Sequence, residues 1–176
     1  RVIKVGARAP EFRVRTTSGD EVTNETYRGK TLVLYFFPKA FTTGCTAEAH
    51  EFAEASDQFK ALGATLIGMS ADDIGTLHKF SAQACSGKFP VAADPDLKVI
   101  RAYDSALIRV GSVGIADRIS YVIAPSGAIV FQCQNAFPAP CRTRCRSRPE
   151  GHSCPAPIPD ARRSRPGRWW PCRFRW

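Results

Sequence analysis

The residue in this chain best placed for chemistry is Cys45, in the segment YFFPKAFTTGCTAEAH at residues 35–50. It stands where an apolar run has ended and a helical pattern is starting. The first N–H groups of a helix have no intrahelical partners, and the helix dipole is positive at that end. Both favour thiolate over thiol, and the thiolate is the competent nucleophile. Thr42 lies three residues earlier on the same loop. Its hydroxyl can point into the same pocket and bond a small polar oxidant. The expected chemistry is attack by sulfur.

The flanking elements must hold that sulfur in place. Residues 31–37 (TLVLYFF) are apolar without alternation and end at Pro38, the pattern of a central strand buried on both faces. Residues 45–62 read as a helix, with Ala49, Phe52, Ala53, Phe59 and Leu62 on one face and Gly63 as its stop. A second apolar strand follows at 64–69. Ser70-Ala71-Asp72-Asp73 then caps a second helix over about 73–84. Strand, helix, strand, helix implies a parallel sheet with right-handed crossovers. Residues 11–23 suggest a hairpin turning at Ser18-Gly19-Asp20, and 119–124 with 128–132 suggest another around Pro125-Ser126-Gly127. The expected fold class is α/β, a central mixed sheet flanked by helices.

In that context Pro38-x-x-x-Thr42-x-x-Cys45, followed by Thr46 and Glu48, resembles the active-site motif of the peroxiredoxin family, P-x-x-x-[TS]-x-x-C. The wider wording is similar to the bacterioferritin-comigratory, or Q, subfamily. The segments that carry this are Val5-Gly6-x-x-Ala9-Pro10-x-Phe12, Ile67-Gly68-Met69-Ser70-Ala71-Asp72, Asp94-Pro95-Asp96 and Asp117-Arg118-Ile119-Ser120-Tyr121-Val122-Ile123. The resemblance covers about residues 3–135. It implies a thioredoxin-like fold and a thiol peroxidase that reduces hydrogen peroxide and organic hydroperoxides in antioxidant defence.

The same resemblance implies the site roles. Cys45 is the peroxidatic cysteine, Pro38 shields the pocket from water, and Thr42 hydrogen-bonds the peroxide. Arg118 holds Cys45 ionised and stabilises charge on the departing oxygen. Glu48, one helical turn beyond Cys45, orients Arg118. The oxidised sulfur becomes a sulfenic acid, condenses with a second thiol, and is recycled by thioredoxin or a similar dithiol. Many members of the subfamily carry the resolving cysteine five residues after the peroxidatic one, where this chain has His50. A second version places it in the next helix. That points to Cys85, for which a purely structural role is the other reading. Joining the two sulfurs requires local unwinding near Cys45, because a disulfide needs Cα atoms within about 7 Å.

Other functions fit less well. A thiol-disulfide oxidoreductase is disfavoured because no C-x-x-C stands at residue 45. A peroxide-sensing thiol switch or interaction protein without efficient turnover remains the alternative. Cys133 reads as a core or edge residue of a strand, His50 and His78 as helix-face residues, and Asp72-Asp73 as a cap rather than an acid pair. No metal and no cofactor is expected. Cys141, Cys145, His152 and Cys154 do not have the spacing of a zinc finger.

The chain has 176 residues, 44% hydrophobic and 23% charged, with a net charge of +9. The charge is localised. Residues 134–176 hold ten Arg, no Lys and two acids, whereas the rest hold 15 bases and 14 acids. The body, residues 1–137, is not built for nucleic acid. Residues 138–176 form an Arg/Pro/Cys-rich tail, read as disordered or frameshift-derived, because such composition cannot easily form a packed core. The sudden loss of pattern is what an out-of-frame reading of GC-rich DNA gives. No run of 18 apolar residues suggests a membrane span. The expectations are a cytoplasmic monomer or weak dimer, with export to a periplasm open because the N-terminus reads as incomplete.

Overall fold

A computed structural model of the chain describes residues 2–110 and 113–134. Alternation along β1 (Arg13–Thr16) turns Val14 and Thr16 inward and leaves both arginines in solvent. The chain reverses at Gly19, whose φ of 91° suits a glycine, into β2 (Glu21–Thr23), antiparallel to β1. A 3₁₀ turn at Asn24–Tyr27 leads to β3 (Thr31–Phe36), where all six residues are buried. Burying each large apolar side chain contributes roughly 1.5–3 kcal/mol. A strand apolar on both faces therefore belongs in the middle of a sheet.

The cysteine-bearing helix, α1, spans Thr43–Ala61 and is followed by β4 (Ala64–Ser70). Next come α2 (Ile74–Ala84), β5 (Val91–Ala93) and the short α3 (Lys98–Ala102). A hairpin of β6 (Ala106–Val110) and β7 (Val113–Ala116) forms its own two-stranded sheet. The antiparallel pair β8 (Ile119–Ile123) and β9 (Ile129–Gln134) completes the described chain. The seven remaining strands form one mixed sheet in the order β2-β1-β5-β4-β3-β8-β9. β3, β4 and β5 run parallel, while β8 lies antiparallel on the other side of β3.

The sheet divides the core in two. Leu32, Leu34 and Phe36 of β3 pack with Val99 and Ile100 of α3 and with Tyr103 and Tyr121. Val33, Tyr35 and Phe37 point the other way, into a cluster with Cys45, Ala49 and Ala53 of α1 and Leu77, Phe80 and Ala84 of α2. Both faces are covered, which is why the sequence of β3 does not alternate.

The mixed sheet flanked by helices is as expected, with four adjustments. α1 begins two residues before Cys45 and ends at Ala61, so Leu62 is its C-cap, 53% exposed, and not part of the buried face. Asp73 is the N-cap of α2, accepting from the Thr76 N–H at 2.9 Å, while Asp72 does something else, described below. The elements from β5 to β7 leave no signal in the sequence, because runs of three to five residues hold too few positions to show a period. Among the described residues, no helix is long and apolar enough to cross a membrane. The expectations for residues 138–176 lie outside the described residues.

Candidate active site

The site starts with how the parallel pair β3–β4 ends. Phe36 is level with Met69, so the loop leaving β3 and the loop leaving β4 emerge side by side. The first loop carries Pro38, half-buried, and Thr42, exposed. The second carries Asp72, whose Oδ2 accepts the Ala40 N–H at 2.8 Å and the Ser70 hydroxyl at 2.9 Å. Phe41 between them adopts a left-handed φ of 62°, which costs a non-glycine residue on the order of 1 kcal/mol. Its ring meets the edge of Phe80 from α2. A carboxylate and an aromatic contact thus hold the loop in a conformation it would not choose alone.

Thr42 ends this loop as the N-cap of α1, but its side chain makes no cap hydrogen bond to the helix. Its hydroxyl instead donates to the Lys39 carbonyl at 3.1 Å. The proton is committed, and the oxygen lone pairs are left to accept. The first backbone hydrogen bond of the helix runs from the Thr46 N–H to the Thr42 carbonyl at 2.9 Å. The N–H groups ahead of it keep their partial positive charge for a group at the helix end.

Cys45 is the third residue of α1 and is 1% exposed. Arg118 donates from Nη2 to its Sγ at 3.1 Å, and its Nη1 makes a short ion pair with Glu48 Oε2. One guanidinium therefore bridges the sulfur and a carboxylate one turn further along the helix. Sheet register puts it there. β8 pairs with β3 so that Ile119 lies opposite Phe36, and Arg118, the residue just before β8, stands at the strand end from which α1 departs. The corner before β8 is fixed as well. Asp117 accepts the Arg118 N–H at 2.8 Å and the Gln134 side-chain amide at 2.7 Å.

Burial pushes the Glu48 carboxyl up to about 7, against the lowering effect of Arg118, with Glu51 adding to the rise. Burial also opposes the charge on Arg118, but Glu48 and Cys45 outweigh it and hold the guanidinium charged. The Glu48 effect reads directly as stability. A carboxyl with a raised folded-state value contributes fully below its unfolded value near 4.5 and loses that contribution as pH rises through 7. Glu48→Gln has nothing to titrate. Urea denaturation at pH 5 and pH 8 should show the variant gaining on the wild type by on the order of 2 kcal/mol across that interval. A difference that does not change with pH contradicts this.

Of the residues singled out from sequence, the structure joins Cys45, Arg118 and Glu48 in direct contact and sets Pro38 and Thr42 on the loop beside them. No hydrogen bond joins Cys85 to them. This cysteine is the C-cap of α2, fully buried, and its thiol is pushed up to about 12 by burial. It does share the α1–α2 apolar cluster with Cys45, and both thiols are free. Cys133 is buried in β9, and His50 and His78 are exposed on α1 and α2. Sequence reasoning missed two groups. Asp72 reads with Asp73 as a cap, and only the folded pairing of β3 with β4, whose ends carry the two loops, shows its other partner. Tyr35, fully buried beneath the site, reads in the sequence only as part of the apolar run.

Comparison with known proteins gives consistent matches. The family model described as AhpC/TSA family matches residues 5–132. Peroxiredoxin Bcp of Bacillus subtilis is 35% identical over 102 residues, covering 58% of this chain and 64% of that protein. The chain spans 61–66% of the length of the first curated relatives it matches. Among solved structures, a mutant of PrxQ from Xylella fastidiosa superposes with a TM-score of 0.67 at 27% identity, covering 74% of this chain and 84% of that one. The bacterioferritin comigratory protein of Xanthomonas campestris, solved in work on its alkyl peroxide reduction activity, superposes with a TM-score of 0.62 at 27% identity. Its match covers 70% of this chain and 80% of that one. The fold is thioredoxin-like, as expected.

Proposed function

The chain belongs to the AhpC/TSA family, and on that premise we propose that it is a thiol-dependent peroxidase with Cys45 as nucleophile. The observation that carries this reading is the 3.1 Å contact between the buried Cys45 sulfur and the Arg118 guanidinium. Cys45 attacks as the thiolate. An S–O bond forms to one peroxide oxygen, the O–O bond breaks, and the other oxygen leaves as hydroxide or alkoxide, taking a proton to become water or an alcohol. Arg118 faces the charge as it passes from sulfur to the departing oxygen. The Thr42 oxygen accepts a hydrogen bond from the peroxide, and the N-terminus of α1 supplies further positive potential. Glu48 keeps the guanidinium aimed, and Pro38 limits water at the pocket mouth.

The product is Cys45 sulfenic acid. Cys85 is the proposed resolving thiol, and its burial dictates what must happen next. The first turn of α1 unwinds, the Cys85 sulfur attacks the Cys45 sulfur, and water leaves as the disulfide forms. A dithiol such as thioredoxin then reduces it by exchange. Cytoplasmic residence fits a cycle that needs a steady supply of reduced dithiol.

The test is a thioredoxin-coupled NADPH assay on the wild type and Cys85→Ser. The wild type should turn over hydrogen peroxide continuously. Cys85→Ser should consume one equivalent, hold Cys45 as the sulfenic acid, and lose thioredoxin-supported turnover by at least about tenfold. Stoichiometric consumption by the wild type itself would indicate a peroxide sensor instead.

A further inference from the structure

Tyr35 carries a hydroxyl that the fold has gone out of its way to bury. The residue is fully buried in the centre of β3 and faces the cluster that holds Cys45 and Cys85. Its ring stacks between Phe37 and Phe52, at 5.5 and 4.4 Å between centroids, and meets Phe89 edge-on at 6.0 Å. Its hydroxyl has no hydrogen-bond partner. A phenylalanine would fill the same space without stranding a polar atom in an apolar cluster.

The neighbouring strand makes room for that hydroxyl. Gly68 lies directly beside Tyr35 in the parallel ladder. A Cβ at Gly68 would come within 2.7–2.8 Å of the outer ring atoms and the hydroxyl. Gly68 also pairs with Val91, so the Tyr35 hydroxyl reaches across β4 toward the segment that joins Cys85 to β5. The charges that act on it agree with this placement. Burial raises Tyr35 well above the usual tyrosine value, followed by Cys85, Glu48 and Cys45, with Arg118 opposing. The hydroxyl shares one apolar cluster with both thiols and has no hydrogen-bond partner.

We propose that Tyr35 is a positioning residue for the resolving step, its hydroxyl donating a hydrogen bond to the Cys85 sulfur as that sulfur moves onto Cys45. The inference rests on the peroxidase reading and on Cys85 as the resolving thiol. In the step itself, the S–H proton of Cys85 departs, the Cys85 sulfur forms a bond to the Cys45 sulfur, and the Cys45 S–O bond breaks. The oxygen leaves as water with that proton. Cys85 is oxidised and Cys45 reduced by the same electron pair. The Tyr35 hydroxyl is not consumed. It stabilises negative charge on a sulfur that the surroundings otherwise disfavour as an anion.

The experiment compares Tyr35→Phe with the wild type after one equivalent of hydrogen peroxide. Rapid quenching with a thiol-alkylating reagent and mass spectrometry follow Cys45 sulfenic acid and the Cys45–Cys85 disulfide over time, and thermal melting is recorded alongside. The ratio of disulfide formation to sulfenic acid formation should fall about tenfold in Tyr35→Phe, with a melting temperature equal to or above that of the wild type. In excess peroxide, the longer-lived sulfenic acid should yield more Cys45 sulfinic acid. An unchanged ratio overturns the proposal, and so does failure of the wild type to form the disulfide at all. No oxidation of Cys45 in either chain overturns the peroxidase reading and this inference with it.

Discussion

Cys45→Ser should reduce peroxide consumption to the uncatalysed background, a loss of at least about 10³-fold in the thioredoxin-coupled assay. The replacement keeps the shape of the side chain and leaves an oxygen for Arg118 to contact, so the fold should survive with a melting temperature within a few degrees of the wild type. The chemistry does not survive. A serine hydroxyl is far too weak an acid to be an anion beside one guanidinium at neutral pH. No other described thiol stands ready to replace it. Cys85 is fully buried, and its thiol is pushed up to about 12 by that burial. Residual turnover of a tenth or more of the wild-type rate would move the nucleophile elsewhere.

Arg118→Ala should slow Cys45 oxidation by about 10²-fold, the effect of removing one donor from charge that develops in a desolvated site. The variant has a second consequence. Glu48 is 4% exposed, and the Arg118 guanidinium partners one of its carboxylate oxygens while the other has no partner. Removing the guanidinium leaves a buried carboxyl alone, which costs about 3–5 kcal/mol if it stays charged. Glu48 avoids most of that cost by taking a proton. The double variant Arg118→Ala with Glu48→Gln separates the two effects. It should recover the part of that cost that protonation leaves, and it should not recover rate. Arg118→Lys should fall between wild type and alanine, because an ammonium supplies the charge but cannot reach sulfur and carboxylate with two separate nitrogens. Arg118→Ala oxidising at the wild-type rate would remove the guanidinium from the mechanism.

How the sequence announced this site depends on how local each part is. β3 and α1 are legible because their signals are long and contiguous. An unbroken apolar run is followed by a proline and then by apolar residues at helical spacing. Cys45 is found from that alone. Arg118 is not, since it reaches the sulfur from 73 residues away through the β3–β8 register. Nothing in its own neighbourhood announces this, and only the family resemblance pointed to it. Asp72 illustrates a different failure. Acidic residues after a strand usually cap the following helix, and Asp73 does so. Its neighbour turns to the adjacent loop, a choice set by parallel strand ends that local patterns do not show. Tyr35 was hidden for a third reason. Inside an apolar run its ring accounts for its presence, and only the packed structure shows a hydroxyl without a partner.

The central claim is that one sulfur, held against a guanidinium at the start of a helix, reacts with peroxide far faster than sulfur does in water. The most direct measurement is the second-order rate constant for Cys45 oxidation by hydrogen peroxide, in the reduced chain and without any reductant. Free cysteine under the same conditions is the reference. Positioning and charge stabilisation together predict an excess of at least about 10³-fold over free cysteine. A rate equal to that of the free amino acid would contradict the account.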